Sequence, residues 1–175
     1  MKLMKLKEEM INYGLFTHFR RHQAVSKCWR KVDGKWCIKD IEFLDDWNKD
    51  EYGELIACLK NTITKGGVVF GAFINDTLKG FSSVEPVLFG KNKEYLDLSS
   101  IHVSEDMRGK GIGNELFKLS KEWAQKHGAK KLYISAHSSV ETQLFYRAMG
   151  CVEALEYDKK HVEREPYDCQ LEYLL

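Results

Sequence analysis

Between Tyr95 and Lys126 the sequence reads YLDLSSIHVSEDMRGKGIGNELFKLSKEWAQK, and this stretch restricts the fold more than any other. A strand that changes phase, a glycine-rich turn and an amphipathic helix follow one another without a linker. Leu96 and Leu98 share one parity, while Ile101 and Val103 share the other. The phase changes at Ser99-Ser100, and one extra residue in a strand, a β-bulge, produces that pattern. Beyond the turn, Ile112, Leu116, Leu119, Ser120, Trp123 and Ala124 fall on one helical face. Lys118, Lys121, Glu122 and Gln125 fall on the other, and His127-Gly128 ends the helix.

The turn itself, Arg108-Gly109-Lys110-Gly111-Ile112-Gly113, has the chemistry of an anion seat. The start of a helix carries unpaired N–H groups and a partial positive charge. Glycines before it let the backbone close around a phosphate, and Arg108 and Lys110 add formal charge. A Walker loop is excluded: Gly109-Lys110 is followed by Gly111, and Ser104 stands where its first glycine belongs. The dinucleotide pattern G-x-G-x-x-G fails in both registers, because Leu116 or Asn114 replaces the third glycine.

The rest of the chain supplies the frame. Residues 23–38 read as a hairpin around Asp33-Gly34, and Asp46 is the expected cap of a helix that stops at Gly66-Gly67. Residues 68–74 and the run after Asn75-Asp76 form an antiparallel pair, with 95–103 as a third strand. Strand 130–136 follows the helix, then a short helix from Ser138 or Ser139 to Met149, then strands at 151–157 and 168–175. That order predicts a single α/β domain over residues 1–175, with a mixed, mostly antiparallel, twisted sheet flanked by helices. The step through residues 113–129 should be a right-handed crossover onto a parallel neighbour.

Composition narrows the function. Lys plus Arg is 27 against 26 for Asp plus Glu, which disfavours nucleic acid and an anionic membrane surface as partners. No apolar run is long enough to span a membrane, and MKLMKLKEEM turns acidic before a secretory core develops. The cysteines, Cys28, Cys37, Cys58, Cys151 and Cys169, are odd in number and form no C-x-x-C, so a metal site is not expected. Reduced thiols in a cytoplasmic protein are the simpler reading.

The segment from Ile101-His102-Val103 through Arg108-Gly109-Lys110-Gly111-Ile112-Gly113 resembles the signature of the GNAT superfamily of acyl-CoA-dependent N-acetyltransferases. Leu132-Tyr133-Ile134-Ser135-Ala136 and Phe145-Tyr146-Arg147-Ala148-Met149-Gly150-Cys151 look like its second segment. The resemblance covers residues 67–175, the acyl-CoA-binding core. Residues 11–66 fall in the family's variable part and are expected to form one wall of the acceptor site.

The resemblance implies acetyl-CoA as co-substrate and no metal. Amides of Gly109, Lys110, Gly111, Ile112 and Gly113, with Arg108 beside them, would hold the pyrophosphate. The backbone of Ile101 and Val103 would pair with the pantetheine arm, and Ser139 stands where an Asn often contacts it. Tyr146 corresponds to the general acid. A base must take the amine's proton, and Asp97 is the first choice, with Glu85 and His102 as the others. Trp29, Trp36 and Trp47 are candidates for an acceptor pocket. The acceptor would be a primary amine of a small molecule, with a peptide amine as the rival and a non-catalytic acyl-CoA sensor as the alternative class. Resemblance also suggests a homodimer through the last strands.

Overall fold

The computed structural model describes residues 1–175. Its centre is a seven-stranded sheet in the order β1-β4-β5-β6-β7-β9-β8. These strands are β1 (Lys2–Lys5), β4 (Val68–Ile74), β5 (Thr77–Val84), β6 (Tyr95–Val103), β7 (Lys131–Ala136), β8 (Val152–Glu153) and β9 (Cys169–Leu174). A separate two-stranded hairpin, β2 (His22–Val32) and β3 (Lys35–Asp46), stands apart from it. The helices are α1 (Lys49–Thr64), α2 (Ile112–Lys126), α3 (Val140–Ala148) and α4 (Lys159–Arg164). None of them is long and apolar enough to cross a membrane.

Two turns set the antiparallel pairs. Asp33 and Gly34 have φ of 49° and 75°, and Asn75 and Asp76 have φ of 48° and 58°. Positive φ at both central residues matches the right-handed twist of the strands they join, and Asp and Asn tolerate it better than most side chains. The single parallel pair, β6 with β7, is joined by the α2 crossover, as expected.

Each face of the sheet carries a helix. Under α2, Phe117, Trp123 and Ala124 meet Leu96, Leu98, Leu132 and Ile134. A Cβ on Gly80 would lie 2.6 Å from Ile112 Cγ2, so only glycine lets α2 come this close to β5. On the other face Leu59 of α1 packs with Val69, Leu78, Phe81, Phe16 and Phe19.

Several boundaries differ from the sequence expectation. The hairpin runs from His22 to Asp46, well past residue 38, because pairing continues through a bulge between Val25 and Lys27. Asp46 is therefore the last strand residue, and Asn48 is the helix cap. Asn48 Oδ1 accepts from the amides of Asp50 and Glu51 at 2.9 and 3.1 Å, and Glu51 returns a bond to the Asn48 amide at 2.7 Å. Asn48→Ala should cost about 1 kcal/mol of stability, read as a lower midpoint in urea unfolding. β1 pairs with β4 at the sheet margin, and four residues were too few to announce it. The strand expected at 151–157 is only Val152–Glu153. There the chain leaves the sheet and forms α4, which Asp158 caps by accepting from the His161 amide at 3.1 Å.

Candidate active site

The site begins where the sheet opens. β6 and β7 pair only from Tyr95↔Lys131 to Asp97↔Tyr133, and beyond that they diverge. Ser83 faces Ser100 while Val84 faces Leu98, so Ser99 is the extra residue of the expected bulge. Between the arms lies a cavity of about 540 Å³. Leu98 to Val103 line one side, Ser135 to His137 the other, and Phe145 and Tyr146 of α3 complete it.

Gly109, Gly111 and Gly113 line one end, together with Arg108 and Ile112. Gly109 and Gly111 have φ of 73° and 80°, a backbone that L side chains rarely adopt. A Cβ at either would meet no protein atom within 4 Å, so the space beside them is open. Gly111 is the N-cap of α2 and offers no side-chain bond to the first amides of that helix. Those amides and the Arg108 guanidinium are left for an anion, which is the chemistry a pyrophosphate requires. Gly113 also serves packing. A Cβ there would lie 2.9 Å from Phe145 Cε2, so this glycine sets the spacing of α2 and α3. The chain therefore fits acetyl-CoA at this end.

Of the residues singled out from sequence, Ile101, Val103, Arg108, Gly109, Gly111, Ile112, Gly113 and Tyr146 line the one cavity. Asp97, Lys110 and Ser139 do not. Lys110 Nζ donates to the Asp106 carbonyl at 3.1 Å. Ser139 is buried as the N-cap of α3, donating to Thr142 Oγ1 at 2.8 Å and accepting from Gln23 Nε2 at 3.3 Å. Asp97 Oδ2 lies 2.9 Å from His161 Nε2, and its Oδ1 is buried without a hydrogen-bond partner.

The electrostatics separate the candidates for proton transfer. Tyr146 is buried, and that burial, with the nearby Cys151, Asp168 and Asp97, pushes its hydroxyl pKa well up. It stays protonated and able to donate at any working pH. His102 lines the cavity against Trp47 and Phe81, with ring centroids 4.8 and 5.3 Å away. Burial, then the charges of Arg21 and Arg108, lowers its pKa, so the ring is neutral at pH 7. Glu85 sits one side chain behind the wall, accepting from Thr62 Oγ1 at 2.5 Å and from Ser99 Oγ at 3.1 Å.

Sequence reading missed Arg21 and Gln23, which reach the cavity from the start of β2. The Arg21 guanidinium is held by Asp45 and Gln23 and lies over the Trp47 ring. No local pattern marks such residues, because they meet β6 only through the tertiary fold. Trp29 and Trp36 line a second cavity of about 280 Å³ beside Arg147 and Cys151, apart from the site.

The model of the acetyltransferase (GNAT) family matches residues 26–151. No curated relative matches the sequence. Solved structures do. A Bacillus anthracis protein assigned as a streptothricin acetyltransferase, in complex with acetyl coenzyme A, is 16% identical, with a TM-score of 0.74 over 100% of this chain and 99% of its own. A nourseothricin acetyltransferase is 17% identical, with a TM-score of 0.65 over 98% of this chain and 95% of its own. A ribosomal-protein-alanine N-acetyltransferase from Brucella melitensis is 14% identical, with a TM-score of 0.60 over 100% of both chains. The fold and the open sheet define an acyl-CoA-dependent transferase. The chain belongs to the GNAT acetyltransferase family, and acetyl-CoA is its acyl donor.

Proposed function

We propose that the protein transfers an acetyl group from acetyl-CoA directly to the primary amine of a small molecule. The observation that carries this reading is the single cavity that joins the glycine turn, the splayed strands and Tyr146. Amides at the start of α2, with Arg108, hold the pyrophosphate. The exposed backbone of Ile101 and Val103 pairs with the pantetheine arm, and the Ile101 amide is a donor for the thioester oxygen. Tyr146 protonates the departing thiolate. Asp97, at the vertex of the two strands, is the base.

The acceptor wall is residues 11–66, of which Arg21 and Gln23 reach the cavity. The structural likeness to proteins named for streptothricin and nourseothricin supports a small-molecule amine. The Brucella neighbour supports the rival, a peptide amine. All five cysteines are unpaired, as a reducing compartment keeps them, which supports the cytoplasm. A homodimer would use the sheet margin at β8.

The test has two stages. At about 100 times its Kd, acetyl-CoA adds roughly 2.7 kcal/mol and should raise the melting midpoint by roughly 5–10 °C, whereas ATP and NAD should not. Thiol release is then followed with streptothricin, a polyamine, an aminoglycoside and peptide amines. Release with small amines alone supports the proposal, and release with peptides alone replaces the acceptor. Tight acetyl-CoA binding with no release in any arm favours the sensor reading.

A further inference from the structure

Resting on the transferase reading above, the geometry points to Asp97 and His161 as one proton-accepting pair, in which His161 positions Asp97 and relays the proton it takes from the amine. Asp97 occupies the last register pair of β6 and β7, opposite Tyr133. The next residues along β6, Leu98 and Ser99, already line the cavity. His161 comes from α4, between the last two strands of the chain. Its Nε2 lies 2.9 Å from Asp97 Oδ2, and its ring stacks on Tyr133 at 5.5 Å and 30°. Tyr133 is fixed in turn, accepting from the Asp158 amide at 2.8 Å and donating to Gln170 at 2.6 Å. The imidazole is thus held from β6, β7 and the cap of α4 together.

The second observation is Asp97 Oδ1. It is the one buried carboxylate oxygen in the protein without a partner. A carboxylate normally accepts on both oxygens, and a buried orphan is costly. Oδ2 is committed to the histidine, so Oδ1 is the atom free to receive a proton, and it does so through water, because Asp97 itself does not line the cavity.

In the reaction the amine nitrogen forms the new N–C bond as the C–S bond breaks. Its proton moves to Asp97 Oδ1. The neutral imidazole donates Nε2–H to Oδ2, so it takes the proton over at Nδ1, through water, and as imidazolium gives it to solvent, since the His161 side chain is 29% exposed. The amine arrives as an ammonium and loses two protons, one before the attack and one as the amide forms, while Tyr146 gives its proton to sulfur and regains one from water, so one net proton is released per acetyl transferred. The charged groups around His161 are Asp97 on β6, Asp158 at the α4 cap, Arg164 on α4 and Asp168 beside β9. The hydrogen bond to Asp97 is the largest cause of a pKa above the ordinary 6.5, burial opposes it, and Arg164 also lowers it. The rate therefore rises with pH through that raised value, as the imidazole becomes neutral.

His161→Gln keeps a donor for Oδ2 but cannot carry a proton. With an amine the wild type acetylates, kcat of this variant should fall about tenfold, with the KM for acetyl-CoA unchanged and the rise with pH gone. Independently of turnover, the His161 ring should titrate above 6.5 by NMR in the wild type and move back down in Asp97→Asn. A variant that keeps the wild-type pH profile, or a ring whose titration ignores Asp97, overturns the pair. Wild-type protein that binds acetyl-CoA yet acetylates nothing overturns the transferase reading and the pair with it, even if the NMR shift is present.

Discussion

Replacing Gly111 with Asp is expected to abolish acetyl-CoA binding while leaving the fold in place. Two effects act in the same direction on the ligand. Gly111 has φ of 80°, so any side chain there stores backbone strain of about 1–3 kcal/mol or shifts the turn. The new carboxylate would also stand at the N-cap of α2, where it accepts the first amides of the helix. Those are the donors a pyrophosphate needs, so the protein would fill its own anion seat with an internal anion. The capping bond offsets part of the strain, and no protein atom lies within 4 Å of the added Cβ, so the core is undisturbed. At 1.4 kcal/mol per decade, loss of two or three amide bonds plus charge repulsion amounts to about 100-fold or more in Kd. Isothermal titration with free CoA measures it, and circular dichroism checks the fold. Gly111→Ala separates the two effects, since it carries the strain without the charge and should bind more tightly than the Asp variant. Undiminished CoA binding by Gly111→Asp would remove the pyrophosphate from this turn.

The part of the site legible in the sequence is the part built from contiguous residues. The bulge at Ser99 showed as a change of parity and the turn into α2 as glycines before a helical stripe, and the structure has both. Such features are local, because strand and helix periods are properties of neighbouring residues. The helix stripe was right in outline, although Phe117 is buried and Leu119 only partly so, since neighbouring elements decide the edge of a face. Short elements stayed hidden. α4 has six residues, β1 four and β8 two, and none is long enough to display a period. His161 is hidden for the same reason, since Lys159-Lys160-His161 has no period to display. Arg21 and Gln23 were out of reach for another reason. Their place at the cavity depends on how the hairpin docks, through bonds such as Trp29 N–H to the Ser138 carbonyl at 2.8 Å. The GNAT resemblance places Ser139 where an Asn often contacts pantetheine, and in this chain Ser139 caps α3.

Tyr146→Phe should lower kcat by about 10²–10³ while leaving acetyl-CoA affinity nearly unchanged. The ring is buried among Phe117, Leu132 and Ile134 of the main core, and Phe keeps every carbon of it, so packing and stability are preserved. Only the hydroxyl is lost. Burial holds that hydroxyl protonated, so it can donate a hydrogen bond but is a weaker acid than a tyrosine in water. Its contribution therefore appears as negative charge develops on sulfur, and a bond made in the transition state but not to the bound substrate lowers kcat and kcat/KM equally. A purely structural tyrosine would behave otherwise, with a changed melting midpoint or a changed Kd and little effect on turnover. The pH profile adds a second readout. The wild-type rise assigned to the Asp97–His161 pair should survive in Tyr146→Phe, because the acid acts on sulfur and the base on nitrogen. Turnover of Tyr146→Phe within about twofold of wild type across that range would show that solvent, not Tyr146, protonates the thiolate.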